Sequence, residues 1–237
     1  KIRLFFSGLK YFIHFNRNQK KINSGHINNE KTDMVFIVQT ISHYKALKPL
    51  ISYISKKPKI NYKIICDTDV NLMNFLRENN ITYINQNHFP VNFYKILKIC
   101  LVIINNILEF SKSIERGLIN EKIRISSILF LKNKAITLAH KIFFINKALE
   151  KIKPSSIIIL NQDLSLSQIG NEIAKKMNIK TFYLQHGNIG LDNLYNTHID
   201  SDISIVSGET DEKIIKELGC QSKIIYKVGR PIFDKIY

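Results

Sequence analysis

The residues of this chain best suited to chemistry lie in a loop near its carboxyl end. His186 and Gly187 follow TFYLQ, a short apolar run that begins at Thr181. A glycine there lets the backbone turn sharply and approach a ligand, and the amides of the loop, which continues through Asn188 and Gly190, would face a phosphate or other oxyanion. His186 would be a donor or a general base, because its charge changes near neutral pH. On the local pattern alone, a histidine bonded to a backbone carbonyl in a strand-end turn is the stronger interpretation.

Three other polar clusters follow apolar runs, at residues 39–43, 67–69 and 161–163. In a parallel sheet such strand ends converge on one crevice, and this context favours a functional role for the loop. Asp67 and Asp163 are candidate carboxylates for activating a hydroxyl, although each alone is better explained as a helix cap or a turn residue. The remaining candidates would line an acceptor cleft at this edge: Thr40, Ser42 and Gln162, beside Asp67.

Short apolar segments alternate with helical patterns, and this order predicts an α/β, Rossmann-like, doubly wound parallel sheet. The predicted strands are 34–39, 63–66, 81–84, 156–160, 180–184, 203–206 and 223–227. The predicted helices are 44–54, one ending near Asn79, one from a capping box at Ser165 to about Met177, and 209–218. Gly219 fits the left-handed position at the end of the last of these.

Two regions depart from this rhythm. Residues 90–150 carry apolar residues at helical spacing and predict a helical insertion of two or three helices, with a possible break near Gly117 and a structural role for His140. Residues 1–33 are a basic amphipathic segment followed by a polar linker; the segment fits a membrane interface and a helix packed on the domain equally well. The predicted acceptor-side domain is therefore 34–228, and residues 229–237 begin a crossover.

The composition favours phosphate-bearing partners. The chain has 35 Lys+Arg against 19 Asp+Glu, a formal net charge of +16, although a codon bias toward Lys, Ile and Asn explains much of the excess. The lysines are scattered without an RNA-binding motif, so specific nucleic-acid binding is the weaker interpretation. The three cysteines lack metal-ligand spacing and suggest a reducing compartment, and no stretch is long and apolar enough for a transmembrane helix.

The sequence from YLQHG to the carboxyl end resembles the interdomain region of GT-B-fold enzymes. A strand ends in a His-Gly loop, a D-x-x-x-V-x-G strand follows, and a K-I-x-x-V-G-x-P strand leads to an aspartate. The relatives in mind are bacterial surface-polysaccharide (capsule and cell-envelope) glycosyltransferases, with CDP-glycerol glycerophosphotransferases and UDP-N-acetylglucosamine 2-epimerases close by. The matching residues are His186, Gly187, Asp202, Val206, Gly208, Gly219, Val228, Gly229, Pro231 and Asp234.

The resemblance implies a nucleotide-sugar donor, a polysaccharide or lipid-linked acceptor, no strict need for a metal, and no cofactor. It places the donor phosphates near Gly187, Asn188, Gly190, Gly229 and Arg230, and it makes His186, His43 and Asp163 the catalytic candidates. The first loop, 39–43, lacks the glycines that many members carry, which puts its acceptor contacts in doubt. Because these enzymes hold the nucleotide mainly in a second domain, the chain reads as a fragment that would not turn over substrate alone.

Several functions stay open at this point. The leading hypothesis is the N-terminal part of a glycosyltransferase, cytoplasmic or peripheral on the inner face of the membrane, where the positive charge would favour a lipid-linked acceptor. A nucleotide-sugar 2-epimerase, a glycerophosphotransferase and a non-catalytic α/β binding module are the alternatives. The epimerase would need no acceptor, and the binding module would show binding without turnover.

Overall fold

The computed structural model describes residues 32–90, 92–114, 121–160, 166–187 and 199–229, without the side chains of 108, 110–114 and 121–133. Within these ranges the strands are β1 (Met34–Val38), β2 (Tyr62–Cys66), β3 (Ser156–Ile159), β4 (Lys180–Leu184), β5 (Ile203–Val206) and β6 (Ile224–Lys227). The helices are α1 (Ile41–Ile54), α2 (Val70–Glu78), α3 (Phe93–Ile114), α4 (Glu121–Ile152), α5 (Leu166–Lys176) and α6 (Glu209–Glu217). The predicted segment at 1–31, the capping residue Ser165 and the break near Gly117 lie outside the described residues.

The six strands form one parallel sheet in the order β2-β1-β3-β4-β5-β6. The chain crosses from β2 back over β1 to β3, so the strand order reverses at β1, as in a doubly wound sheet. This confirms the predicted fold class. It also puts β3 between β1 and β4, and brings the carboxyl ends of those three strands to one edge.

One predicted strand is wrong. Residues 81–84 form no strand; Ile84 instead makes a single parallel bridge to Ile65 of β2. Its amide donates to Ile64 O at 2.8 Å and its carbonyl accepts from Cys66 N at 2.9 Å. A 3₁₀ turn at Gln86–His88 then carries the chain away, so the apolar run pairs with the sheet at Ile84 alone among its four residues.

The sheet is covered on both faces. On one face, Leu47 and Ile51 of α1 and Leu72 of α2 pack on Phe36 and Ile64 in a single buried cluster. On the other, α5 lies so close that a Cβ added at Gly170 would overlap the Cδ1 atom of Ile37. Such burial on both faces explains why the strands read as continuous apolar runs.

The described residues divide into two compact units, one of 32–85 with 148–229 and one of 86–147. In the second unit, Ile96 and Cys100 of α3 are buried with Ala135, Ala139 and Phe143 of α4. Helices are thus present where the sequence predicts an insertion, while the domain boundaries stay a prediction. Across the described ranges, no helix has the length and apolar character needed to cross a membrane.

Candidate functional site

The loop after β1 turns directly into α1 and places His43 in the first turn of that helix. Thr40 is the N-cap, with extended backbone (φ −137°, ψ 163°), and its hydroxyl oxygen accepts a hydrogen bond from His43 N at 3.3 Å. Thr40 Oγ1 and Ser42 Oγ lie 2.7 Å apart, and both residues are exposed. The sequence predicted this helix to begin at Tyr44; the cap moves its start to Ile41 and brings His43 inside it.

The loop after β4 is held by Gln185, which is buried. Its side-chain amide donates to Gly187 O at 2.8 Å, and its Oε1 accepts from Ser207 N at 2.9 Å. Gln185 therefore connects the loop after β4 to the loop after β5. From the sequence, Gln185 is only the last residue of an apolar run and is not a candidate. A glutamine at the end of a buried strand nevertheless indicates a buried hydrogen bond.

His186 is exposed, and a hydrogen bond to the backbone of Leu160 fixes the orientation of its ring. Its Nδ1 lies 3.1 Å from the carbonyl oxygen of Leu160, directly after β3. Because a carbonyl only accepts, Nδ1 carries a proton and donates it, and in the neutral ring the lone pair is then on Nε2. The sequence predicts either a histidine bonded to a backbone carbonyl or a general base; the structure shows the bond to the carbonyl, and the general-base role stays a prediction.

His43 packs against His186. Their ring centroids are 4.7 Å apart and the ring planes meet at 69°, an edge-to-face arrangement. His43 is only 5% exposed. Burial, and to a lesser extent the nearby His186, lower the pKa of His43 to about 4, so its imidazole is neutral at neutral pH. Its Nδ1 is buried and has no hydrogen-bond partner among the described residues.

A second polar contact ties this edge to α5. Ser167 is fully buried in the first turn of α5, and its hydroxyl donates to Gln39 Oε1 at 2.5 Å. Gln39 is the residue that directly follows β1. The contact therefore joins the first loop to a helix on the opposite side of the sheet, and neither residue was a candidate from the sequence.

The carboxylates of the acidic residues after β2 accept hydrogen bonds from backbone amides. Asp67 Oδ1 accepts from Thr68 N at 2.8 Å, and Asp69 caps α2 by accepting from Leu72 N at 2.7 Å. These are the turn and cap positions that aspartate favours. The strand order also places Asp67 on the side of β1 away from β3, whereas His43 and His186 meet between β1 and β4.

The remaining candidates divide by whether the structure describes them. Among the described residues, a Cβ added at Gly187 would meet nothing within 4 Å, so its backbone leaves room for a ligand there. Gly229 is exposed, has a left-handed φ of +75°, and follows β6. Within the described ranges, no group of three or more His, Cys, Asp or Glu side chains is arranged to hold a metal ion. The other candidates lie outside the described residues: Asp163, Gln162, Asn188, Gly190 and Arg230.

No protein-family model matches this sequence, and no curated protein matches it. Solved structures do match. UDP-N-acetylglucosamine 2-epimerase from Rickettsia bellii superposes with a TM-score of 0.54 at 15% identity, over 87% of this chain and 48% of that one. UDP-GlcNAc 2-epimerase from Neisseria meningitidis, bound to UDP-GlcNAc, gives 0.54 at 12% identity, over 86% and 48%. The S. aureus MnaA–UDP structure gives 0.51 at 9% identity, over 86% and 46%.

The likeness is one of fold. At these identities it shows a shared parallel α/β fold, and it carries no residue roles across. The chain spans about half the length of these structures.

Proposed function

We propose that this chain forms the acceptor-side part of a nucleotide-sugar-dependent glycosyltransferase of bacterial surface polysaccharide. The observation that carries the proposal is His186, whose Nδ1 is bonded to Leu160 O at an exposed strand end, so that Nε2 holds the lone pair of the neutral ring. A base with a fixed tautomer at the carboxyl edge of a parallel sheet is suited to taking a proton from a bound hydroxyl.

In this proposal the acceptor hydroxyl transfers its proton to Nε2 of His186 while its oxygen forms a bond to the anomeric carbon of the donor sugar. The bond from that carbon to the phosphate oxygen breaks, and the nucleoside diphosphate leaves. His43 is the weaker candidate for the base, because it is buried and its pKa is lowered to about 4. Its proposed role is to hold the His186 ring through the edge-to-face contact.

The donor and acceptor classes rest on independent support. The fold matches one structure bound to UDP-GlcNAc and one bound to UDP, which supports a nucleotide sugar as the donor. The formal charge of +16 favours a polyanionic or lipid-linked phosphate-bearing acceptor at the inner face of a membrane. Asp163, Gln162, Asn188, Gly190 and Arg230 remain proposed contributors to the two binding surfaces.

The test is transfer activity in the protein expressed from its complete gene, with a panel of nucleotide sugars and hydroxyl-bearing acceptors. His186→Ala should lower kcat by about 10²-fold or more, the usual contribution of a positioned base. Lys213→Ala, an exposed change on α6, is the matched control and should leave kcat unchanged. Full activity in His186→Ala would end the proposed role.

A UDP-GlcNAc 2-epimerase activity is the second candidate, favoured by the structural matches themselves. An epimerase converts the nucleotide sugar with no acceptor present, whereas a transferase releases nucleotide only as acceptor is consumed. Incubation with UDP-GlcNAc alone, followed by separation of the 2-epimers, decides between the two.

A further inference from the structure

The first turn of α1 has the features of an anion site. The helix is 14 residues long and carries no acidic residue in that turn, so the positive end of its dipole is uncompensated. The N-cap hydroxyl of Thr40 and the hydroxyl of Ser42 are both exposed there. By itself a helix amino terminus is not a site, because nearly every helix has one.

A second observation points to a ligand at the same turn. Nδ1 of His43 is shielded from solvent, and none of the described residues supplies the hydrogen bond that a buried nitrogen requires. A neutral imidazole carries one N–H, and a ligand oxygen would select the tautomer that places it on Nδ1. The His43 ring is in edge-to-face contact with the ring of His186. His186 is exposed, and a Cβ added at the next residue, Gly187, would contact none of the described residues.

The chemistry of these groups selects the ligand. Helix amides, hydroxyls and imidazole N–H groups are donors, and the charged or titratable group that acts on His43 among the described residues is His186. Donors that face no carboxylate among the described residues suit an anion with several acceptor oxygens. A phosphoryl group offers three such oxygens.

We propose that the first turn of α1, with Thr40, Ser42 and His43, forms a phosphoryl-binding site beside His186. This deepens and rests on the proposed function, in which phosphate is present in the nucleotide-sugar donor and in a phosphorylated acceptor. The site takes the phosphoryl group itself, and the two sources are separated by the ligands used in the test.

The experiment follows the histidine side-chain ¹⁵N signals of the 237-residue chain while inorganic phosphate is added at constant ionic strength, with chloride as the comparison anion. Phosphate should shift the His43 and His186 signals toward an Nδ1-protonated His43. UDP and glycerol 3-phosphate are then titrated separately. Tighter binding of UDP assigns the site to the donor, and tighter binding of glycerol 3-phosphate assigns it to the acceptor.

Two pairs of variants keep the test falsifiable. Ser42→Asp places a carboxylate in the exposed first turn, which favours the helix but repels phosphate, and affinity should fall roughly tenfold or more. Ser52→Asp makes the same change at the other end of α1 and should stay within about twofold of the parent. His43→Gln should lose the tautomer signature, while His140→Gln, at a buried histidine of the other unit, should not affect phosphate binding.

Unmoved His43 and His186 signals, or equal phosphate affinity in Ser42→Asp and the parent, would overturn the site. Because binding is read without turnover, an inactive protein that binds phosphate leaves this inference standing and removes only the proposed function. If the protein is active but Ser42→Asp does not change its affinity for phosphate, the proposed function stands and this phosphoryl site is wrong.

Discussion

The imidazole rings of His43 and His186 meet edge to face with their centroids 4.7 Å apart, one buried in the first turn of α1 and the other exposed after β4. The exposed ring is bonded through Nδ1 to Leu160 O, after the strand that lies between them in the sheet. In the proposed function the two histidines have different roles: His186 accepts the proton, and His43 holds the His186 ring from inside the domain.

Exogenous imidazole should rescue the His186→Ala variant. Removing the ring leaves a space beside His43 without disturbing the buried core, and a free imidazole in that space would again accept the acceptor proton. Transfer rate measured against imidazole concentration should rise and saturate. A rate that does not respond to imidazole, in a folded variant that still binds donor, would contradict the general-base role.

Acid should destabilise the protein through His43 and His140. Burial lowers the pKa of each to about 4, against an ordinary value of 6.5. Between those values the unfolded state binds more protons, so the free energy of unfolding is highest above pH 6.5. It should fall with pH by about 1.4 kcal/mol per unit for each histidine until about pH 4.

Urea unfolding at pH 7.5, 5.5 and 4.5 measures this slope. His43→Gln and His140→Gln should each flatten it, because glutamine takes up no proton. An unchanged slope in both variants would show that other groups govern the acid response.

Gly170→Ala should destabilise the sheet even though alanine favours helices. The added Cβ would overlap Ile37 Cδ1, and overpacking of a core costs about 1–3 kcal/mol. Glu172→Ala, at an exposed position of the same helix, is the control and should change stability by no more than about 0.5 kcal/mol. Denaturant midpoints of the two variants, at equal m-values, give the comparison.

Asp202, one of the residues that carry the GT-B resemblance, should act in stability. Its Oδ2 accepts from Thr181 N at 2.9 Å and from Thr181 Oγ1 at 3.1 Å, while its own amide donates to that hydroxyl at 2.9 Å. These bonds join the starts of β4 and β5, at the edge of the sheet opposite the histidines.

Asp202→Ala removes the Oδ2 acceptor of the amide and hydroxyl of the fully buried Thr181, while the backbone amide of residue 202 stays, and should lower stability by about 1–3 kcal/mol. Asp200→Ala removes a partly exposed ion pair with Lys175 and should cost at most about 1 kcal/mol. Equal unfolding free energies for the two variants would contradict the structural role of Asp202.

The sequence predicted the sheet because its strands are buried on both faces and read as uninterrupted apolar runs between turn residues. It failed at 81–84, where an equally apolar run makes one bridge only, since neighbouring strands and not composition decide whether a backbone is paired. His186 is a candidate from the sequence because it follows a strand next to a glycine, and its role stays a prediction. Gln185 and the Gln39–Ser167 contact were missed, because they depend on which strand ends are neighbours, and a single sequence does not give that order.

The carbonyl of Leu160 orients His186 from a different strand than the one that carries it. His43 and His186 are also far apart in the chain, and β3 lies between their strands. The pair therefore exists only when β1, β3 and β4 have all docked, and no isolated fragment of the sheet contains it. In a refolding experiment the histidine signals would report when these three strands have docked. A change that separates the three strands would remove the contact between the two histidines even if the outer strands stayed paired.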